Sequence, residues 1–368
     1  MPLSRRKILA CLVAGPLAAG LTAVRGFADT SRSGLIQKVA FGACAFQWAE
    51  QPIWNSVNGV NPDLFLFLGD AIYGDFDGKE VFEITRESLQ RDWNRLGAKP
   101  GFSKLRNTTP VLATWDNHDY GHHNGGVEFK SKQLARDLFL DFFAVPPDSP
   151  RRTRDGIYHA QVFGIEGQQA QVILLDNRWN RSPIIADTRS EDERKSLGLS
   201  GSMGHIPDTD PAATLLGELQ WRWLEAQLQK PADIRLICSG TQVVNDAKGM
   251  QEWGNFPHER NRLIELIAHT RAQGVILLSG NVHYSEVSRF DEGPYPLYDF
   301  TSSGVTHNST AYAEYKNPYR VAGPYAGNNF GLVEIDWLAK PAPTVTLKTV
   351  DLGGDNVFIY NISLAALK

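Results

Sequence analysis

The sequence predicts an α/β fold in which two mixed β-sheets pack together with helices outside them, as one domain behind a short leader. Three observations carry this. Short apolar runs alternate with amphipathic stretches through most of the chain, strands dominate after His283, and no internal repeat or low-complexity linker divides the sequence.

Val39 to Phe41 reads as a first strand that breaks at Gly42-Ala43-Cys44, with a helical run near Ile53 to Val57. Leu64 to Leu68 is a second strand, fully apolar as in a buried parallel sheet, and Glu80 to Leu96 has apolar residues at helical spacing. Val111 to Trp115 is the third strand. Val127 to Val145 is an amphipathic helix stopped by Pro146-Pro147. Ile157 to Phe163 and Val172 to Leu175 are strands, the second ending in Asp176-Asn177-Arg178. Trp179 to Pro211 is polar and aperiodic, a length of loop that usually serves as a functional or mobile lid. Glu218 to Leu228 is a helix, Ile234 to Cys238 a strand, His258 to Ala272 a helix and Val275 to Leu278 a buried strand. Five strands follow: Val287 to Phe290, Leu297 to Thr301, Phe330 to Trp337, Thr344 to Val350 and Val357 to Ile362.

The 368 residues carry 37 Lys and Arg against 41 Asp and Glu, mixed along the chain, so there is no basic footprint for a nucleic-acid backbone. At the N-terminus Ser4-Arg5-Arg6-Lys7 precedes a mild apolar stretch from Ile8 to Val24 and then Gly26-Phe27-Ala28. This reads as a twin-arginine signal peptide over residues 1–28, cleaved after about Ala28, with an ordinary secretory signal as the alternative. The stretch is too short, and too broken by Pro16, for a transmembrane anchor. The expectations are a mature domain over 29–368 without a transmembrane segment, the twin-arginine export machinery as partner, and a periplasmic or secreted location. Removal of Cys11 with the leader leaves Cys44 and Cys238, enough for a single disulfide.

Three strands end in ligand-type residues. Leu64 to Leu68 runs into Gly69-Asp70-Ala71-Ile72-Tyr73-Gly74-Asp75, Val111 to Trp115 into Asp116-Asn117-His118-Asp119-Tyr120-Gly121, and Val275 to Ser279 into Gly280-Asn281-Val282-His283. Carboxyl ends of buried parallel strands are where open α/β sheets place their chemistry, and oxygen and imidazole groups on three of them suggest a polynuclear metal centre. Asp70 is the candidate bridging carboxylate; turn chemistry is its bland alternative. Tyr73 would add a phenolate suited to a ferric ion, unless it is a packed aromatic. Asn117 offers a neutral oxygen, and His118, oriented by Asp119, is a candidate general acid rather than a satisfied core histidine. Asn281 and His283 alternate, so on an extended backbone they would point the same way and clasp one ion, although Asn281 is as readily a structural hydrogen-bonder. Cys44 could add a thiolate, or be a small buried hydrophobe, or bridge to Cys238. Arg178 could fork onto a phosphate oxygen or form an ion pair.

The segments Phe41-Gly42-Ala43-Cys44, Leu68-Gly69-Asp70-Ala71-Ile72-Tyr73, Thr114-Trp115-Asp116-Asn117-His118-Asp119-Tyr120-Gly121, Leu174-Leu175-Asp176-Asn177-Arg178, Ser239-Gly240-Thr241-Gln242, Leu278-Ser279-Gly280-Asn281-Val282-His283-Tyr284 and Asn329-Phe330-Gly331 follow one another in this order. In that combination the chain resembles the alkaline phosphatase D (PhoD-like) family of the metallophosphoesterase superfamily, over nearly the whole mature length. The resemblance implies a four-layer α/β/β/α sandwich, twin-arginine export, and hydrolysis of phosphate monoesters or diesters with Fe(III) and Ca(II). It places the family's cysteine on Cys44, its bridging aspartate on Asp70, its iron-binding tyrosine on Tyr73 and its last metal histidine on His283. Asn117 and commonly Asn281 stand where the family has aspartate, so two anionic ligands become neutral and the second metal is left open. The extra N-terminal β-domain of larger members is not expected here, since only about a dozen residues separate the expected cleavage from the first strand. The expected enzyme is a monoesterase in which Cys44, Asp70, Tyr73 and His283 hold one ion and Asp70, Asn117 and Asn281 the second. A metal-bound hydroxide attacks, His118 protonates the leaving group, and Arg178 binds a nonbridging oxygen. A diesterase or phospholipase-type hydrolase on the same centre, and a noncatalytic metal- or phosphate-binding protein on a decayed scaffold, are the alternatives.

Overall fold

The computed structural model describes residues 34–196 and 204–368. The predicted leader and part of the Trp179 to Pro211 segment therefore lie outside the described residues.

The chain opens with β1 (Lys38–Gly42), α1 (Ile53–Gly59) and β2 (Leu64–Leu68). Next come α2 (Arg86–Gly97), α3 (Pro100–Thr108), β3 (Val111–Thr114), the single turn α4 (Asn117–Tyr120) and α5 (Lys132–Phe142). The antiparallel pair β4 (His159–Phe163) and β5 (Ala170–Leu174) leads into β6 (Ile185–Ala186), α6 (Glu191–Ser196) and β7 (His205–Ile206). Then follow α7 (Glu218–Leu228), β8 (Ile234–Ser239), α8 (Pro257–Thr270) and β9 (Val275–Ser279). The last part holds β10 (Ser285–Phe290), β11 (Leu297–Ser302), α9 (Thr310–Ala313), β12 (Arg320–Tyr325), β13 (Asn329–Asp336), β14 (Thr344–Asp351) and β15 (Asn356–Ser363).

Among the described residues the strands build a six-stranded sheet, β15-β14-β13-β1-β2-β3, and a seven-stranded sheet, β12-β10-β11-β9-β8-β5-β4. Both are mixed. In the first, β1, β2 and β3 are parallel while β13 joins β1 antiparallel, with Val39 opposite Val333. In the second, β5, β8, β9 and β11 are parallel and β4, β10 and β12 are antiparallel additions.

The sequence Leu-Phe-Leu-Phe-Leu of β2 shows how the layers are set. Side chains alternate across a strand, so Leu64, Leu66 and Leu68 enter the core shared with the other sheet, while Phe65 and Phe67 enter the core under the helices. There Trp54 of α1 meets Phe65 with ring centroids 5.5 Å apart and Phe102 of α3 at 5.0 Å. Full burial of one such side chain stabilises the fold by roughly 1.5–3 kcal/mol. On the far side Trp221 and Leu224 of α7 and Leu263 and Ile267 of α8 complete the fourth layer. This is the α/β/β/α sandwich expected.

Several boundaries differ from the sequence reading. The helix expected from Glu80 starts at Arg86, because the Thr85 hydroxyl accepts from Ser88 N (3.1 Å) and caps it there. Pro100 starts the unforeseen α3 in the position where its missing N–H costs nothing. The Trp179 to Pro211 segment is not structureless, since Ile185 pairs with Ile206 and Ala186 with His205.

Candidate metal centre

The carboxyl ends of β2, β8 and β9 meet the loops after β1 and β3 along a seam of glycines. A methyl group added at Gly69, whose φ is 97°, would lie 2.4 Å from Asp116 Cβ. One added at Gly240 would lie 2.8 Å from Trp115 O, and one at Gly280 would lie 2.7 Å from both Ala43 Cβ and Leu68 O. Only glycine permits that approach. The residues beyond it turn through the left-handed region, with φ of 63° at Cys44, 50° at Asp70, 74° at Asn281 and 60° at His283. Non-glycine residues held there cost of order 1–3 kcal/mol each and gather at functional sites. This also corrects the extended-backbone reading of Asn281 and His283, because a left-handed turn and not strand alternation directs both side chains.

Cys44 Sγ lies 3.4 Å from Asp70 Oδ2 and 3.1 Å from Ser303 Oγ. Ser303 Oγ also accepts from the His283 backbone N–H at 3.1 Å, and His283 Nε2 is 3.5 Å from the Tyr73 hydroxyl. The four residues expected to share one ion are thus drawn together, with Ser303 between two of them. Burial pushes the Asp70 carboxyl up to about 6, the neighbouring Asp116 adding to it and His118 opposing it. Burial, then the Asp70 charge, raises the Cys44 thiol well above its ordinary value, and burial with Cys44 and Asp70 does the same to the Tyr73 phenol. Three buried acids in contact cannot all ionise unaided, and a cation among them is what would let them.

Among the described residues no three His, Cys, Asp or Glu side chains form a closed metal cage. The donor set here instead includes a phenol and amides, and it fits an ion on a second ground: Asn117 Oδ1 is buried without a hydrogen-bond partner. Asn117 Nδ2 faces His123 Nδ1 at 3.3 Å, and Asn281 Nδ2 donates to Gln251 O at 3.1 Å.

His118 stands beside this group. Its backbone N–H donates to Asp70 Oδ1 (3.1 Å) and its Nδ1–H to Asp75 Oδ1 (2.6 Å). Burial alone would lower the imidazole, but the Asp70, Asp75 and Asp116 carboxylates outweigh it and hold the ring above its ordinary value. Asp119 does not orient His118, as the sequence reading had it. Its two oxygens accept from the Ile72 and Asp116 backbone N–H groups, both at 3.0 Å, and so lock the loops after β2 and β3 together. Asp75 is the residue missed for this role, although it stands in the same loop as Asp70.

Arg178 is corrected as well. It is fully buried, with Nε (2.9 Å) and Nη2 on Asp116 Oδ1 and Nη1 on Gln251 Oε1 (2.5 Å). Its fork is therefore spent inside the protein, not offered to a phosphate. Arg181, unforeseen, lies next to it and donates to Asn124 O, Gly125 O and Gln251 Oε1, and burial with the Arg178 charge lowers it to about 9. Cys44 and Cys238 are both free thiols, so the single bridge considered is not formed. His307, also missed, stacks between Tyr73 and His283, with centroids 4.8 and 4.9 Å away.

The fold is a four-layer sandwich whose strand ends gather sulfur, oxygen and nitrogen donors beside a carboxylate-held histidine. The chain belongs to the PhoD-like phosphatase family, whose sequence pattern matches residues 39–330. A solved structure of PhoD superposes with a TM-score of 0.69 at 16% identity, over 92% of this chain and 72% of that one. GAP50, described as the anchor in the inner membrane complex of Plasmodium, superposes with a TM-score of 0.53 at 11% identity over 89% of each chain. Likenesses at this identity show the fold. Among curated proteins, an atrochrysone carboxyl ACP thioesterase of Passalora fulva is 30% identical over 150 residues, which span 36% of this chain and 43% of that protein. No helix among the described residues is long and apolar enough to cross a membrane.

Proposed function

We propose that the chain is an exported, metal-dependent phosphoesterase acting on phosphate monoesters, with His118 as general acid. One observation carries this reading: His118 is tied to Asp75 through Nδ1 and to Asp70 through its own backbone N–H, which puts a proton donor beside the candidate bridging carboxylate.

Cys44, Asp70, Tyr73 and His283 would hold one ion, Fe(III) by the hardness of its phenolate and carboxylate donors, and Asp70, Asn117 and Asn281 a second, for which Ca(II) suits neutral oxygen ligands. Such ions would neutralise charge on a phosphoryl group and make a bound water acidic. The protein's own part is positional. The Asp75 bond to Nδ1 leaves His118 Nε2 as the free edge, from which a proton can pass to the oxygen of the departing alcohol. Arg178 holds Asp116 against Gly240, and Asp116 in turn keeps the β3 loop on the seam.

The test is elemental analysis of the folded, exported protein together with hydrolysis of a monoester and a diester by the same sample. Iron with a second ion, monoester turnover, and loss of both in Asp70→Asn would support the reading. A stronger diester rate would move it to a diesterase, and a well-folded protein that binds ions without turnover would make it a binder. N-terminal sequencing of the exported form tests cleavage after about Ala28.

A further inference from the structure

We infer that His123 is a positioning residue that turns the Asn117 side chain so that its amide oxygen, and not its nitrogen, faces the second ion. The inference rests on the metal-dependent reading above. A carboxylate presents oxygen whichever way it turns, but an amide does so only if its NH₂ group is held elsewhere. At Asn117 the holder is His123, whose Nδ1 is 3.3 Å from Asn117 Nδ2, and the oxygen at the other end is buried and unpartnered. Rotated by half a turn, the same side chain would aim two N–H groups at a cation and leave its oxygen against an imidazole.

His123 is itself braced. It follows the left-handed Gly121 that ends α4, its ring lies 5.7 Å from that of His118, and its carbonyl accepts from His122 Nδ1 at 2.8 Å. Arg181 holds the next two carbonyls, those of Asn124 and Gly125. The loop is therefore fixed from both ends, and the nitrogen that meets Asn117 is fixed with it. Asn281 repeats the device with a different holder, because its Nδ2 donates to Gln251 O, a carbonyl that can only accept. Both neutral candidate ligands thus have their nitrogen occupied by protein and their oxygen left over. Hydrogen bonds to ligands from such outer partners are typically worth about 10–100-fold in metal affinity.

Calcium alone, titrated by calorimetry into the metal-depleted full chain and into variants, tests this, with the melting temperature with and without calcium as a second readout. His123→Leu removes the acceptor and is expected to bind calcium roughly 10–100-fold more weakly. His123→Gln, which restores an acceptor oxygen, is expected to recover most of that loss, and His269→Ala, on the exposed side of α8, to bind as the wild type does. Equal affinity in wild type and His123→Leu would overturn the proposal. So would a Gln variant as weak as the Leu variant, since His123 would then be a ligand in its own right. A wild-type chain that takes up no calcium would instead overturn the metal-dependent reading beneath it, so the two failures are told apart.

Discussion

The imidazole of His118 lies on the phenol of Tyr73, ring centroids 4.1 Å apart and planes 28° from parallel, while the edge of the same imidazole is tied to Asp75. The candidate acid is held on its face by a candidate ligand and on its edge by a carboxylate. His118→Ala should therefore lower turnover of alkyl phosphates by about 10²–10⁴ and leave metal content unchanged. On a nitrophenyl phosphate, whose leaving group needs little protonation, the loss should be much smaller. Loss of metal in this variant would make His118 a ligand and sink the acid assignment.

Asp75 acts through His118, so the two should not contribute independently. Asp75→Asn and His118→Ala are each expected to impair alkyl ester turnover, and the double variant to be little worse than His118→Ala alone. Additive losses in steady-state assays would mean that Asp75 has a separate task.

Removal of ligands should separate the two ions. Tyr73→Phe should lose iron, whereas Asn281→Ala should keep iron and lose affinity for the second ion, as read by elemental analysis of each purified variant. Equal iron loss in both would show that the donors do not divide as assigned.

Arg178 and Asp116 are both fully buried, and removing one partner strands the other's charge. Arg178→Met should cost about 3–5 kcal/mol in urea unfolding. Breaking the exposed pair Arg289 and Asp291, 2.7 Å apart, should cost less than about 1 kcal/mol. A small loss at Arg178 would show that water reaches the pair.

Glu252, next in sequence to Gln251, gives stability a pH dependence of its own. Burial pushes its carboxyl up to about 8 from 4.5, against the pull of Lys248 and of the Gly249 and Lys248 N–H groups on Oε1. Between pH 4.5 and 8 the folded chain keeps this proton and the unfolded chain does not, so stability falls as pH rises through that window and stays reduced above it. Glu252→Gln keeps an acceptor and removes the titration. The variant should match the wild type near pH 5 and melt roughly 2–4 °C higher at pH 9.

Much of the fold was legible because the apolar runs are long and unbroken. The Leu-Phe-Leu-Phe-Leu strand could be read only as buried on both faces, and α7 was placed at Glu218–Leu228 without error. At the site, Cys44, Asp70, Tyr73 and His283 are brought together because each lies within five residues of a strand end, where backbone order limits side-chain position. Partnerships across loops were not legible. Asp119 adjoins His118 in sequence yet bonds backbone N–H groups, while Asp75 reaches the imidazole from 43 residues away. Arg178 misled in the same way, since burial of its guanidinium depends on Asp116 and Gln251, which come from two other loops. β12 was missed because its exposures alternate weakly, its sequence carries Gly323 and Pro324, and a bulged register is all that joins it to β10.

The pairing of β1 with β13 has a consequence for how the protein is made. Val39 waits for Val333, and Cys44 for Ser303, 259 residues further on, so a ribosome must translate nearly the entire message before the first strand gains its antiparallel neighbour. Chains that stop before Ser303 therefore lack part of the centre, and chains that stop between Ser303 and Asn329 carry its residues on a first sheet that β13 has not closed. A stop codon anywhere before that of Asn329 should therefore yield inactive protein, however much of the sandwich has already emerged.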